Sequence, residues 1–446
     1  MRVVFATWPA TTHLYPIVPL AWALQNAGHE VRVVSYPGLA ETTVAAGLTA
    51  VSLGRQVDLT PAAPLDEAWL DRLARDLDPG PEQAHLWECF RHRMLPVLSF
   101  HYPGRPPAAG QRAMVDDLVD FARTWQPDLI LWDPAFLAAP VAARMSGAAH
   151  ARLLWGLDYF GWIRAACAEL SRRPGADPVD DPLTLLTEPM LRRFGIDADD
   201  EMFLGQWTLD LMPPGMRLPL TNRTVPVRAI PYQRVGVLPD WLRDPPDRPR
   251  ACLTLGVTNR ERDIASTVPI PEVLDLLADI DLDIVATLDA GQLRAAHRVP
   301  DNVRTVDYVP LNQLLPTCSA MVHHGGFGTF AAAAAHRVPQ LVTGALSSWD
   351  SGISAGTAHF VQRRGAGLAL DGDAFTLDAL RDGLLALVHD PAYARGADEL
   401  YRDLLATPGP AEVVPLLEEL TTRHRLRPLP AGSPTAPSED TACAYS

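Results

Sequence analysis

One pattern constrains the fold more than any other. Short, unbroken runs of β-branched and apolar residues alternate with segments of helical spacing, over residues 2–36 and 114–146 and again over 251–343. A strand that is apolar at every position must be buried on both faces, which is the situation inside a parallel sheet flanked by helices. Arg2 to Trp8 is such a run. A turn rich in Pro and Thr follows, then Ile17 to Ala27 with helical spacing, then Gly28 and a second buried run from Val31 to Tyr36. This is a βαβ unit, and the grammar returns with Met114 to Trp125 as helix, Asp128 to Asp133 as strand and Pro140 to Ser146 as helix. The first half therefore reads as doubly wound, with its functional loops expected at the strand C-termini.

Between Pro213 and Pro249 proline is dense and periodicity vanishes, as in an extended crossing between domains, and the boundary is expected near Arg228 to Asp244. The pattern then restarts. Strands are expected at Ala251 to Val257, Asp283 to Leu288, Val303 to Val309, Ala320 to His323 and Pro339 to Thr343, with helices at Pro271 to Ile280 and Thr329 to Arg337. The order describes a second doubly wound domain, and a length of 446 residues suits two domains better than one core. Leu65 to Leu98 and Trp155 to Trp207 lean helical and hold five tryptophans, Trp69, Trp87, Trp155, Trp162 and Trp207, that serve either as plain core or as walls of an apolar pocket. Ala411 to Arg423 reads as an amphipathic helix, and Arg427 to Ser446, rich in Pro, Ser, Thr and Ala, as a disordered tail.

Composition removes whole classes of chemistry. The chain has 38 basic residues and no lysine, so all 38 are arginines, and mechanisms needing a primary amine, such as a P-loop lysine or a Schiff base, are excluded. A formal charge of −15 repels nucleic acid and anionic lipid, so an anionic ligand has to be held locally. Cys89, Cys167, Cys252, Cys318 and Cys443 are odd in number and lack CxxC spacing, which argues against a disulfide scaffold or zinc site and for a reducing cytoplasm. Pro9, His13, Pro16 and Pro19 interrupt what a signal peptide would need as a continuous apolar stretch, and no run of about eighteen apolar residues is present to span a bilayer.

Two sets of residues can carry chemistry. His323-His324-Gly325-Gly326-Phe327-Gly328-Thr329 lies between a buried strand and an alanine-rich helix, where glycines allow close backbone approach and the helix N-terminus offers free N–H groups. It suits a diphosphate without a metal, His324 and Thr329 donating; equally, it is a tight turn with a capping Thr. Asp350, after the next strand, either accepts hydrogen bonds from sugar hydroxyls or caps the following helix. In the first half, His13 follows the first strand and Asp133 ends another, so both reach one crevice as a general base and its orienting carboxylate, or else serve as a loop histidine and a turn Asp. No HExxH or Cys and His nucleophile pattern occurs.

With these residues in place, the sequence resembles the GT-B nucleotide-sugar glycosyltransferases, and among them the actinobacterial enzymes that attach deoxysugars to macrolide and aromatic polyketide antibiotics. The likeness rests on ATWPATTHLYPIVPLAWALQNAGHEV at the start, PDLILWDPAFLAAPVAARMSGAAHARLLWG from Pro127, TLGVTNR from Thr254 and YVPLNQLLPTCSAMVHHGGFGT from Tyr308. It implies two Rossmann-like domains facing across a cleft, residues 1–228 binding the acceptor and 229–426 the nucleotide sugar, with the last helix returning to the first domain and 427–446 as tail. It also implies inverting, metal-independent transfer from a dTDP-sugar without a further cofactor. By motif position His13 matches the base and Asp133 its partner. On the donor side Thr258, Val309, His324, Gly325, Gly326, Phe327, Gly328, Thr329 and Asp350 match the binding positions. Two positions depart from the plant branch, Ala332 for a ribose-binding Glu and Ser351 for a Gln, in agreement with a deoxynucleotide and a deoxysugar. Relatives in this subgroup imply a haem-less cytochrome-like auxiliary protein as partner, and a homodimer is a further expectation. The rival expectations are a UDP-sugar enzyme acting on small phenols, and a catalytically silent partner subunit of the same fold.

Overall fold

The computed structural model describes residues 1–55, 65–98, 112–174, 179–256, 270–294, 296, 298–344, 351–370 and 375–425. Two parallel sheets organise the chain. The first contains β1 (Arg2–Ala6), β2 (Glu30–Ser35), β3 (Thr49–Ser52), β4 (Leu129–Trp132), β5 (Ala149–Leu154), β6 (Trp207–Asp210) and β7 (Thr224–Pro226) in the order 3-2-1-4-5-6-7. The second contains β8 (Arg250–Thr254), β9 (Asp283–Thr287), β10 (Val303–Val306), β11 (Ala320–His323), β12 (Gln340–Val342) and β13 (Gly367–Ala369) in the order 10-9-8-11-12-13. Each order reverses once, between β1 and β4 and between β8 and β11. At such a switch point the outgoing loops run to opposite faces and leave a crevice at the strand C-termini.

Burial on both faces is visible residue by residue. In β1, Val4 and Ala6 join one core with Trp132, Phe136 and Trp162, while Val3 and Phe5 join another with Leu24, Leu131 and Leu153. The second core is closed by the helix Pro410–His424, which returns from the end of the chain. Its Leu417 and Leu420 are fully buried there, each contributing roughly 2 kcal/mol of apolar transfer free energy. In the second sheet the alanine-rich helix Phe327–Ala335 buries Phe330 and Ala331 to Ala334, small side chains that let its axis sit close to β11.

Several expected bounds move. The strand expected over Val303 to Val309 stops at Val306, and the one over Ala251 to Val257 is Arg250–Thr254. Part of the expected linker is sheet: Thr224–Pro226 forms β7, an edge strand where proline costs little because its missing N–H faces outward. The rest of the crossing is tied at both ends. Tyr232 packs edge-on against Tyr15 and Trp22 of the first domain, at 5.1 and 5.4 Å between centroids, and Arg234 covers the Tyr308 ring of the second at 4.3 Å. Residues 427–446, expected as a tail, lie outside the described residues. Among the described residues no helix is long and apolar enough to cross a membrane.

Candidate active site

β1 and β4 are hydrogen-bonded neighbours, with Ala6 opposite Trp132, so the residues that follow them emerge side by side. After β1 a short helix, Thr11–Leu14, buries Leu14 and leaves His13 at the cleft. Asp133 follows β4 directly, and its backbone N–H donates to Ala6 O at 2.9 Å, which ties the two strand ends together. His13 Nδ1–H donates to Asp133 Oδ2 at 2.6 Å; the two side chains are 11% and 2% exposed. Ala135 N–H holds the other carboxylate oxygen at 2.8 Å, and the Trp155 indole N–H reaches Oδ2 at 3.0 Å. With Nδ1 engaged, Nε2 is the imidazole nitrogen left to take a proton.

Across the cleft the second switch point repeats the device. β8 and β11 pair with Thr254 opposite His323, and the turns that follow them meet. Gly325 has φ +95°, a left-handed conformation that suits glycine, and its N–H donates to His323 Nδ1 at 3.1 Å. That fixes the proton of His323 on Nε2, 3.0 Å from Gln340 Oε1. The His324 ring is boxed by two glycines: a Cβ on Gly256 would lie 2.2 Å from its Cε1, and one on Gly326 would lie 2.6 Å from its Nε2. Burial pushes His324 down to about 4, and burial followed by the neighbouring His324 pushes His323 down to about 3, so both rings are neutral at pH 7. A neutral imidazole still donates one hydrogen bond.

The helix after this turn starts at Phe327, two residues before the expected Thr329, with Gly326 as its N-cap and no side chain capping it. Thr329 therefore belongs to the first helical turn and is not the cap. First-turn N–H groups and the positive end of the helix dipole sit at the mouth of the cleft, an arrangement suited to an anion.

Both switch points open into one cavity of about 730 Å³. His13, His324, Gly326, Phe327, Gly328 and Thr329 line it, as do Trp155, Tyr159 and Phe160 from one of the helix-leaning insertions. The other contributes Arg93 and Met94 from a π-turn at Phe90–Met94. Asp133 sits behind His13, and Gly325 supplies the turn. Val309 is 2% exposed and packs with Cys252, Leu314 and Met321, so what it can offer a ligand is its backbone; its neighbours Asp307, Tyr308 and Leu311 line the cavity. Thr258 and Asp350 lie outside the described residues. Among the described residues no three His, Cys, Asp or Glu side chains are grouped to hold a metal ion.

Comparison with known proteins bears on this geometry. Residues 22–256 match the N-terminal domain, and residues 271–420 the C-terminal domain, of the erythromycin biosynthesis protein CIII-like family. The chain belongs to this family of GT-B glycosyltransferases. It is 45% identical over 433 residues to aclacinomycin-T 2-deoxy-L-fucose transferase of Streptomyces galilaeus, covering 95% of this chain and 97% of that one. It is 41% identical over 428 residues to 3-alpha-mycarosylerythronolide B desosaminyl transferase of Saccharopolyspora erythraea, covering 95% and 99%. Among solved structures, the glycosyltransferase VinC in complex with dTDP superposes with a TM-score of 0.79 at 36% identity, covering 95% of this chain and all of that one.

For an erythromycin CIII-like chain, two features of the cleft were missed by sequence reasoning. Gly256, facing His324, was legible as a glycine placed directly after a buried strand. Trp155, read as core or pocket wall, has a hydrogen bond to Asp133 that was missed: it follows β5, the neighbour of β4, and so emerges next to that carboxylate.

Proposed function

We propose that the protein transfers a deoxysugar from a dTDP-sugar to a hydroxyl of a polyketide antibiotic aglycone with inversion, residues 1–228 holding the acceptor and 229–426 the donor. The observation that carries this reading is the single cavity reached by the His13 and Asp133 pair from one side and by the His324 turn from the other. The aglycone O–H proton passes to His13 Nε2 while its oxygen attacks the anomeric carbon; the bond from that carbon to the diphosphate breaks, and dTDP leaves. Asp133 stabilises the imidazolium so formed. Charge growing on the leaving diphosphate is met by the first-turn N–H groups and His324, preorganised donors that need no cation. Thr258, Val309 and Asp350 complete the donor site by motif position. The relatives' names give aclacinomycin-T and 3-alpha-mycarosylerythronolide B as their acceptors, and the cavity is large enough for a polyketide acceptor.

The test is mass spectrometry of reactions with a panel of dTDP- and UDP-sugars and polyketide aglycones, with and without a haem-less cytochrome-like auxiliary protein from a related pathway. His13→Ala is expected to lower turnover about a thousandfold and to leave the calorimetric affinity for dTDP within about twofold. Full turnover in that variant removes His13 from the mechanism. Tighter binding of UDP than of dTDP would overturn the donor assignment.

A further inference from the structure

Asp133 accepts more than an orienting carboxylate needs. Oδ1 takes the Ala135 N–H, while Oδ2 takes two donors at once, His13 Nδ1–H at 2.6 Å and Trp155 Nε1–H at 3.0 Å. The Trp155 ring also packs on the His13 imidazole, with centroids 4.1 Å apart and planes tilted by 52°. We propose that Trp155 is a positioning residue of the proton-transfer couple, its indole N–H fixing the Asp133 oxygen that holds His13 and sharing that oxygen's charge with the ring. This rests on the reading of His13 as the base.

The physical argument is one of shared charge. A carboxylate oxygen divided between two donors gives each less than it would give one. The Asp133 side chain is only 2% exposed, so water is poorly placed to replace the indole. Geometry adds to this. With Oδ1 and Oδ2 both pinned, the carboxylate cannot rotate, and the imidazole it holds is kept at one angle to the cavity, the condition for proton transfer to a bound hydroxyl. The competing description makes Trp155 only a wall of the acceptor cavity, in which case its ring matters and its N–H does not.

Trp155→Phe separates the two, because it keeps most of the ring and deletes the donor. Other ionisable groups lining the cavity are Glu41 from the helix Ala40–Ala45, Arg93 from the π-turn, Asp158 paired with Arg152, Arg234 from the crossing, and Asp307 and His324 from the second domain. The substitution leaves each of them in place. The first measurement needs no substrate: carbethoxylation of His13 by diethyl pyrocarbonate against pH, read by peptide mass spectrometry on the full chain. Only the neutral ring reacts, so the acid limb of the profile is expected to move up by on the order of half a pH unit in Trp155→Phe, and equally in Trp155→Leu. The second is the transfer assay with the donor and acceptor pair found by mass spectrometry: kcat falls about tenfold with the acceptor KM within about twofold, while calorimetry with dTDP verifies an intact donor site. Superimposable His13 profiles in wild type and both variants would overturn the proposal, as would a raised KM with kcat unchanged. A His13→Ala protein that still turns over would instead sink the reading of the base, and leaves the modification profile standing, so the two failures are distinguishable.

Discussion

The glycine slot around His324 makes a sharp prediction for Gly326→Ala. Gly326 has φ −60° and ψ 141°, which alanine adopts without strain, so the backbone gives no reason for damage and the unfolded chain loses entropy. The only new atom is a Cβ lying 2.6 Å from His324 Nε2 and 3.1 Å from its Cε1. Ordinary contact between such atoms needs about 3.5 Å, so the ring has to retreat by about 1 Å. Movement toward Gly256 is limited too, since the ring already fills the space that a Cβ there would take, 2.2 Å from Cε1. The ring is therefore displaced, and with it goes the hydrogen bond that the proposed function gives His324 to a charged diphosphate oxygen.

A hydrogen bond of that kind contributes about 1.5–3 kcal/mol, which is a loss of roughly 10- to 150-fold in dTDP affinity. Calorimetry with dTDP measures it, and urea unfolding should show stability within about 1 kcal/mol of wild type. The deciding measurement is a double-mutant cycle: with the imidazole already removed in His324→Ala, adding Gly326→Ala should change affinity less than about twofold. If the two losses add, the new methyl group obstructs the phosphate directly, and the slot does not act through His324.

Two further outcomes follow from buried groups outside the proton-transfer pair. Arg152, wholly buried, binds both oxygens of Asp158, which in turn caps the helix Tyr159–Ser171 through Gly161 N–H, so Arg152→Met should cost about 3 kcal/mol or more in urea unfolding and raise the acceptor KM, since Tyr159 and Phe160 line the cavity. An unchanged unfolding midpoint would show that the pair is dispensable. Burial holds His150 and His323 down to about 3 and His324 to about 4, below the ordinary 6.5, so the stability that depends on their neutrality is complete above pH 6.5 and is lost as pH falls toward 4. Between pH 7 and 5.5 this removes roughly 1 kcal/mol per ring, and Asp210, raised by burial to about 6, returns somewhat less than that on taking up its proton; equal urea midpoints at the two pH values would contradict a net loss of roughly 2–3 kcal/mol.

What could be read from the sequence was whatever has a local cause. The strands at the centre of each sheet are largely apolar runs because both faces are covered, and β1, β2, β4, β8, β9 and β11 all announce themselves that way. The strands left unassigned include β3, β7 and β13, and their reason is tertiary. Gly367–Ala369 and Thr224–Pro226 are three residues each, one holding glycine and the other proline, and they are strands because a neighbour offers them a hydrogen-bonding edge. The site divides in the same way. His13, Asp133 and the His324 turn follow strands whose order alone puts them at a crevice. Gly256 shows in the sequence as a glycine after a buried strand, but that it faces His324, and that Trp155 shares an oxygen with His13, depends on contacts between loops far apart in sequence.

The absence of lysine also changes what the donor side of the cleft has to do. A cation buried beside the helix N-terminus would be desolvated, and repelled by the helix dipole, whenever the cleft is empty, and it would hold the diphosphate product strongly after transfer. A neutral His324 in a glycine slot avoids the first cost, since burial itself keeps the ring uncharged until an anion arrives. It limits the second, because oriented N–H dipoles and one neutral donor stabilise charge as it grows on the leaving group without adding a full opposite charge to the bound product. In the proposed reaction the acceptor side uses the complementary arrangement, the Asp133 carboxylate placed where positive charge would develop on His13. Under that reading each half of the cleft carries, at the switch point of its own sheet, the polarity opposite to the charge that the proposed reaction creates there, and neither requires a mobile counter-ion.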